Sequence, residues 1–450
     1  MNIKVDFDKT EGKVKPLHGM NNAPQSGTRT ELYHRIGEAG IPYCRFHDMG
    51  GIYGGGRYVD IANLFRNFDA DPNLPESYDF AFTDWLFEQI SAQGAKIFFR
   101  LGSSIENSHR IKAYYIYPPA DNLKWAKICE GIIKHYNYGW ADGYHYDIQY
   151  WEIWNEPDNE PDIRDNPCWK GTKEQFFDLY VTAANYLKEK FPDLKIGGYA
   201  SCGFYSITDS YAMVANSSHR TDYFVEFFQD FIDYISDPEH GAPLDFFSWH
   251  SYAPVEDNVV WADYVRNYLD SHGFAHTESI LNEWNPGIQR RGTEEDACYI
   301  TDMLVTMHST SVDLMTYYNG EMSPVYGGLF DLINYDIFPA YYSLHSYNEL
   351  YELGDVAQVQ SDLPVLAATD GKAGKLLVSN TSQKPMELAL EIVGDWHVKA
   401  FRVLDGKNGL TLVTVPGEKD TLVVPPLKIA LVEFTKKQAV RRSRPHRHDI

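Results

Sequence analysis

The chain has 450 residues, with 40 basic against 63 acidic side chains and a formal net charge of −23. Hydrophobic residues make up 44% and aromatics 15%, which excludes a disordered chain, a fibre or a small disulfide scaffold. The acidic balance also excludes a general nucleic-acid binder.

In chain order, short apolar runs alternate with longer amphipathic ones. The opening MNIKVDFDKTEGKV alternates and is charged, so it reads as neither a signal peptide nor a membrane anchor. Strands are predicted over 16–21, 41–48, 95–102, 146–157, 193–201, 244–252, 278–285 and 312–320. Helices are predicted over 30–40, 82–95, 122–136, 174–191, 224–235, 260–270, 296–309 and 339–353. Strand–helix repeats of this kind predict an α/β chain whose catalytic domain, 14–353, is a (β/α)8 TIM barrel. A doubly wound open sheet is the alternative, with less support because no Gly-rich phosphate turn follows an early strand. The glycines of GGIYGGGR (50–57) read as a shaped loop.

Beyond 353 the texture changes to short alternating runs such as GKLLVSNTS and HVKAFRVLDG, punctuated by Gly, Pro, Asn and Asp. They predict a small antiparallel β-sandwich over 354–436, with the early strand 3–8 added to it. Residues 437–450 carry four arginines and one aspartate in the last ten positions and read as a disordered tail or a cloning remnant. Five scattered cysteines without a CxxC pair point to reduced thiols. No 18-residue apolar run occurs, so no spanning helix and no membrane partner are expected. The expected location is the cytoplasm, or the periplasm or exterior if a leader has been removed. Oligomeric state is open, with a homo-oligomer among the options.

In such a barrel, functional side chains belong at the carboxyl ends of the strands. Two carboxylates stand out there: Glu156 in YWEIWNEP, ending the fourth strand, and Glu283 in ILNEWNP, near the end of the seventh. Strands four and seven of eight face one another across the mouth. Glycosidic cleavage needs such a pair: one carboxylic acid protonates the leaving oxygen, and one carboxylate attacks the sugar or activates water. Asn155, Arg45, His47, Asp48, His250, Tyr252, Trp284 and one of Tyr317 and Tyr318 are the candidate substrate contacts. Glu152, sharing the parity of Glu156 but deeper, is expected to meet an arginine. His47 and Asp48 are adjacent and cannot both point inward from a regular strand, and neither HExxH nor an EF-hand loop occurs. No metal and no cofactor are expected.

The segments RFHDMG (45–50), EIWNEP (152–157), SWHSY (248–252), ILNEWN (280–285) and GGLFDLINYDIFPAYYSLHSYNEL (327–350) resemble glycoside hydrolase family 39. This is the β-xylosidase and α-L-iduronidase family of the retaining (β/α)8 clan. The resemblance implies Glu156 as acid/base and Glu283 as nucleophile. It also implies Asn155 on the hydroxyl next to the anomeric carbon, and His250 and Tyr252 lining the reacting sugar site. The expectation is a retaining, exo-acting glycosidase acting on an oligosaccharide or small glycoside, with β-D-xylosyl residues first. Another sugar (galactoside, arabinoside, glucoside or uronide) or endo action is the alternative, and an inactive carbohydrate-binding protein is the alternative of another class. A uronide would want a dedicated cation, for which Arg45, Arg57, Arg66 and Arg100 are the candidates.

Overall fold

The computed structural model describes residues 1–25, 30–49, 59–105, 116–210, 218–322, 327–413 and 422–436. GGIYGGGR with its Arg57, and the basic tail, lie outside these. After β1 (Asn2–Lys13), eight strands follow: β2 (Gly19–Asn21), β3 (Tyr43–Phe46), β4 (Lys96–Leu101) and β5 (Tyr150–Ile153), then β6 (Lys195–Ser201), β7 (Phe246–Ser251), β8 (Glu278–Trp284) and β9 (Val312–Tyr317). Strands β2 to β9 pair in parallel in that order and close into a barrel.

The helices that cover it are α1 (His34–Glu38), α2 (Ile61–Leu64), α3 (Ala81–Ser91), α4 (Asn122–Tyr138) and α5 (Lys173–Lys190), followed by α6 (Ser218–Ser236), α7 (Val255–Ser271), α8 (Glu294–His308) and α9 (Pro339–Tyr351). Their ends carry local signals. Asp121 accepts from the Lys124 amide to start α4, and Gly139 (φ +72°) ends it. Thr172 and Gln175 form a reciprocal capping box on α5.

Side-chain alternation fills the barrel in layers. Tyr43, Phe98, Tyr150, Phe246, Ile280 and Leu314 pack together as its lower plug. Two residues further along the same strands stand Arg45, Arg100, Glu152, Ser248, Asn282 and Thr316, all buried and all polar. An apolar plug beneath a polar layer leaves hydrogen-bonding groups with only one direction of use, toward the carboxyl-end mouth.

Several strands are shorter than their apolar runs. The predicted 146–157 yields only Tyr150–Ile153, because Asp147 (φ +55°), Trp154 (φ +76°) and Glu156 (φ +50°) leave extended geometry on either side.

Eight further strands follow the barrel: β10 (Asp355–Ser361), β11 (Leu366–Thr369), β12 (Ala373–Asn380), β13 (Met386–Ile392), β14 (Trp396–Leu404), β15 (Leu410–Val413), β16 (Leu422–Val424) and β17 (Lys428–Lys436). With β1 they form nine hydrogen-bonded strands wrapped on their own core, where Ile3, Val5 and Phe7 meet Leu376, Val378 and Phe434. Pairing is antiparallel except for β1 beside β13. The chain's first strand thus belongs to its last domain. That domain docks on α8 and α9: Ala297 and Cys298 pack on Leu404 and Ile429, and Lys375 reaches Glu349 at 2.6 Å.

Candidate active site

The polar layer is built around Glu152, which is fully buried. Its Oε2 accepts from Nε (2.9 Å) and Nη2 (2.7 Å) of Arg45, and its Oε1 accepts from Ser248 Oγ (2.6 Å) and from Asn282. A buried carboxylate with this many donors is compensated, which removing a single partner would undo. Arg45 also donates to Asn21 Oδ1 (3.1 Å) and Asn155 Oδ1 (2.7 Å). Its expected contact with sugar is therefore corrected. The guanidinium is enclosed one layer below the mouth, where it braces Asn155 and lies 3.5 Å from Glu283 Oε2.

Glu156 enters the site because the chain turns out of β5 through two left-handed residues, Trp154 and Glu156. Such backbone is costly for non-glycine residues and persists only where the surroundings hold it. Here Trp154 Nε1 is tied to Cys168 O (3.0 Å) and the Glu156 amide to Ala200 O (3.0 Å). The turn cancels strand alternation, so Asn155 and Glu156 both face the mouth. Glu156 Oε1 lies 2.8 Å from His250 Nδ1, and its Oε2 accepts from Asn159 Nδ2 (2.8 Å).

Glu283 comes from the opposite side by a comparable device. In the β7–β8 register Trp249 faces Leu281 and His250 faces Glu283, so Asn282 is an extra residue on β8. A bulge of this kind lets neighbours point the same way: Asn282 reaches down to Glu152 while Glu283 stands in the mouth. Tyr252 OH donates to Glu283 Oε1. Around Oε2 stand His47 Nε2 (3.3 Å), Arg45 Nη1 (3.5 Å) and His250 Nδ1 (3.7 Å), none aligned as a full hydrogen bond. Burial alone would raise the carboxyl's pKa, but the charges of His250, His47 and Arg45 outweigh it and hold Glu283 well below the usual carboxylate range. His250 shows the reciprocal effect. Burial disfavours its charge, yet Glu283 and Glu156 together raise its pKa above the ordinary histidine value.

His47 and Asp48 both reach the site, against the expectation from alternation, because β3 ends at Phe46. Asp48 accepts from Tyr318 OH (2.6 Å) and from Asn22, and lies 3.4 Å from His47. Tyr318 is therefore the inward member of its pair. Tyr317 is corrected as a sugar contact: it is fully buried and packs edge-on against Trp284 at 5.5 Å between ring centroids. Trp284 packs with it and lines a cavity of ≈ 200 Å³ together with Tyr252, Tyr299 and Met303.

Asn159, Arg220 and Asp158 were not visible as site residues in the sequence. Asp158 is buried two residues after Glu156, accepts from Ser201 Oγ (2.8 Å) and is pushed up to about 7, chiefly by burial. Nothing in the spacing of NEPDNEP separates Asp158 and Asn159 from ordinary loop residues, and Arg220, in the first turn of α6, has no local signal either.

Among the described residues, Glu156, His250 and Glu283 form the one group spaced to hold a metal ion, one ligand atom of each lying within 4.8 Å of the others. Their existing bonds to one another, to Asn159 and to Tyr252 suit them to sharing protons instead. A parallel barrel whose mouth brings together two carboxylates and a bridging imidazole defines the class: a barrel glycoside hydrolase. The chain belongs to glycosyl hydrolases family 39, whose model matches residues 3–327.

Two curated relatives are β-xylosidases. That of Geobacillus stearothermophilus is 24% identical over 264 residues, covering 52% of this chain and 46% of the relative. That of Caldicellulosiruptor saccharolyticus is 25% identical over 269 residues, covering 56% and 46%. The match thus takes in about half the length of either relative. Among solved structures, a glucosidase from Croceicoccus marinus shares the fold with a TM-score of 0.75 at 20% identity, covering 97% of this chain and 99% of that one. A monomeric β-xylosidase from Caulobacter crescentus does so with 0.66 at 16%, covering 97% and 99%.

Proposed function

We propose that the protein is a retaining, exo-acting glycoside hydrolase that removes terminal neutral sugars, β-D-xylosyl residues first among them. Glu283 is the nucleophile and Glu156 the acid/base. The observation that carries this is the short gap between the two, one carboxylate oxygen of each lying within 4.8 Å of the other. So close a nearest approach fits a retaining pair, whose carboxyl groups stand about 5–5.5 Å apart, better than an inverting pair, whose groups stand roughly 6.5–9.5 Å apart with a water between them.

The chemistry follows from the contacts. Glu283 keeps its charge in the presence of His250, His47 and Arg45, and Tyr252 holds the carboxylate by donating to Oε1, so it is ready to attack the anomeric carbon. Glu156 gives its proton to the leaving oxygen as the bond to the anomeric carbon breaks. The resulting glycosyl–Glu283 ester is then hydrolysed by a water that Glu156 deprotonates. Asn155, whose Oδ1 is committed to Arg45, has its amide N–H groups left for the hydroxyl beside the reacting carbon.

Among the described residues, a neutral sugar is favoured over a uronide by the state of the candidate cations. Arg45 is enclosed by Glu152, Asn21 and Asn155, Arg100 pairs with Asp60, and Arg66 pairs with Asp79 at the surface. Xylose and exo action rest on the names of the two curated relatives.

A panel of aryl β- and α-glycosides, with Glu156→Ala and Glu283→Ala as controls, tests the reading. Hydrolysis of the xyloside ahead of the glucoside, galactoside, arabinoside and glucuronide is the expected result. No hydrolysis of any aryl glycoside or natural oligosaccharide would instead mark a carbohydrate-binding protein.

A further inference from the structure

The acid/base carboxyl has two oxygens with different fates, and the difference is imposed from outside the reacting groups. Asn159 is 8% exposed and donates from Nδ2 to Glu156 Oε2 at 2.8 Å. An amide can turn over and present its oxygen instead, but here Arg220 prevents that. Its Nη2 donates to Asn159 Oδ1 (2.7 Å) and its Nε to the Asn159 carbonyl (2.6 Å). A guanidinium only donates, so Oδ1 must be the acceptor and Nδ2 must face Glu156. Arg220 is itself held, with Nε 3.0 Å from Glu160 Oε1 and its guanidinium carbon 5.3 Å from the Phe224 ring centre.

We propose that Asn159, oriented by Arg220, is a positioning residue for the acid/base: it commits Oε2 of Glu156 as an acceptor and confines the transferable proton to Oε1. This rests on Glu156 being the acid/base. The amide Nδ2 on Oε2 can only donate, whereas the imidazole nitrogen 2.8 Å from Oε1 can also accept when the ring is neutral, so the proton of the acid form sits on Oε1. In the first step that proton passes from Oε1 to the leaving oxygen, and the carboxylate that remains is stabilised at Oε2 by Asn159. Without Asn159 the carboxyl is free to rotate and to carry its proton on either oxygen. The other titratable groups that face Glu156 are Glu283 from β8, Asp158 and Cys168 from its own loop, and Cys202 and Tyr205 from the segment after β6. Of these, Cys168 contacts Oε2, its Sγ lying 3.9 Å away as a weak thiol donor beside the amide of Asn159.

The test is the dependence of kcat/KM on the leaving group. Protonation matters most for poor leaving groups and little for 2,4-dinitrophenolate. Asn159→Ala is expected to lose about tenfold in kcat/KM on a phenyl or alkyl glycoside, the worth of one hydrogen bond to a charged group. On the 2,4-dinitrophenyl glycoside it is expected to stay within about twofold of the parent. The alkaline limb of its pH profile should move to higher pH, because a donor to the carboxylate has gone. Arg220→Gln keeps Asn159 but frees its amide, and is expected to show the same pattern at smaller size. It serves as the reading if Asn159→Ala does not fold. Equal losses on all leaving groups, or no loss on any, would overturn the proposal. If Glu156→Ala itself showed no leaving-group dependence, the assignment of the acid/base would fall instead.

Discussion

Removing the Arg45 guanidinium gives a sharp test of how the polar layer is balanced. Arg45→Met takes away two bonds to Glu152 Oε2 and those to Asn21 and Asn155, leaving a fully buried carboxylate with only Ser248 and Asn282 as donors. Breaking a buried pair from one side costs about 3–5 kcal/mol, because the remaining charge is uncompensated. At roughly 2 °C per kcal/mol for a large domain, that is a fall in Tm of about 6–10 °C. Adding Glu152→Gln removes the stranded charge while keeping an oxygen for Ser248. The double variant is therefore expected to recover more than half of the loss. Activity should not recover with it, since Asn155 has lost its brace and Glu283 its neighbouring guanidinium. Urea denaturation and thermal unfolding of parent, both single variants and the double variant measure this, alongside kcat/KM on the best aryl glycoside. A double variant no more stable than Arg45→Met, or a single variant within about 1 kcal/mol of the parent, would refute the reasoning.

Four other predictions concern the mouth and the groups behind it. Glu283 is held below its unfolded pKa, so the stability it contributes is present above the unfolded value and lost as pH falls through the lower folded one. The acid limb of kcat/KM should accordingly lie below the ordinary glutamate range of about 4.3, as a profile from pH 3 to 9 would show. His250 has the opposite sign: its raised folded pKa gives stability that is complete below the unfolded value, near 6.5, and lost as pH rises through the folded one. Asp158, pushed up to about 7 by burial, must ionise at a cost as pH climbs from the unfolded aspartate value toward 7. Asp158→Asn is thus expected to be more stable relative to the parent at pH 8 than at pH 5, and equal differences at the two pH values would contradict this. Tyr318→Phe, which releases Asp48, is expected to lower kcat/KM about tenfold, whereas Tyr317→Phe, turned away from the mouth, should stay within about twofold.

Much of the site was legible in the sequence because barrels put function at strand ends. The repeat of apolar run and amphipathic helix predicts eight strands, and polar residues at the ends of runs four and seven mark Glu156 and Glu283. What alternation misplaced, it misplaced where the strand had stopped being one. His47 and Asp48 converge past the end of β3, Asn155 and Glu156 follow two left-handed residues, and Asn282 and Glu283 share a bulge. A period of two cannot anticipate these breaks. Parity with His47 points Arg45 toward the mouth, but a layer lower it has Glu152 opposite and is enclosed. Asn159 and Arg220 meet only because the loop after β5 lies against the start of α6, a long-range contact with no local signature.

A covalent bond between sugar and Glu283 is the step on which retention depends, and it can be trapped. The protein would be incubated with an activated 2-deoxy-2-fluoro-β-xyloside, digested, and its peptides weighed. The expected result is one added 2-fluoroxylosyl mass on the peptide containing Glu283, absent in Glu283→Ala, with the anomeric configuration of the released sugar retained for ordinary substrates. Inverted product with no adduct, or an adduct on a peptide lacking Glu283, would contradict the account.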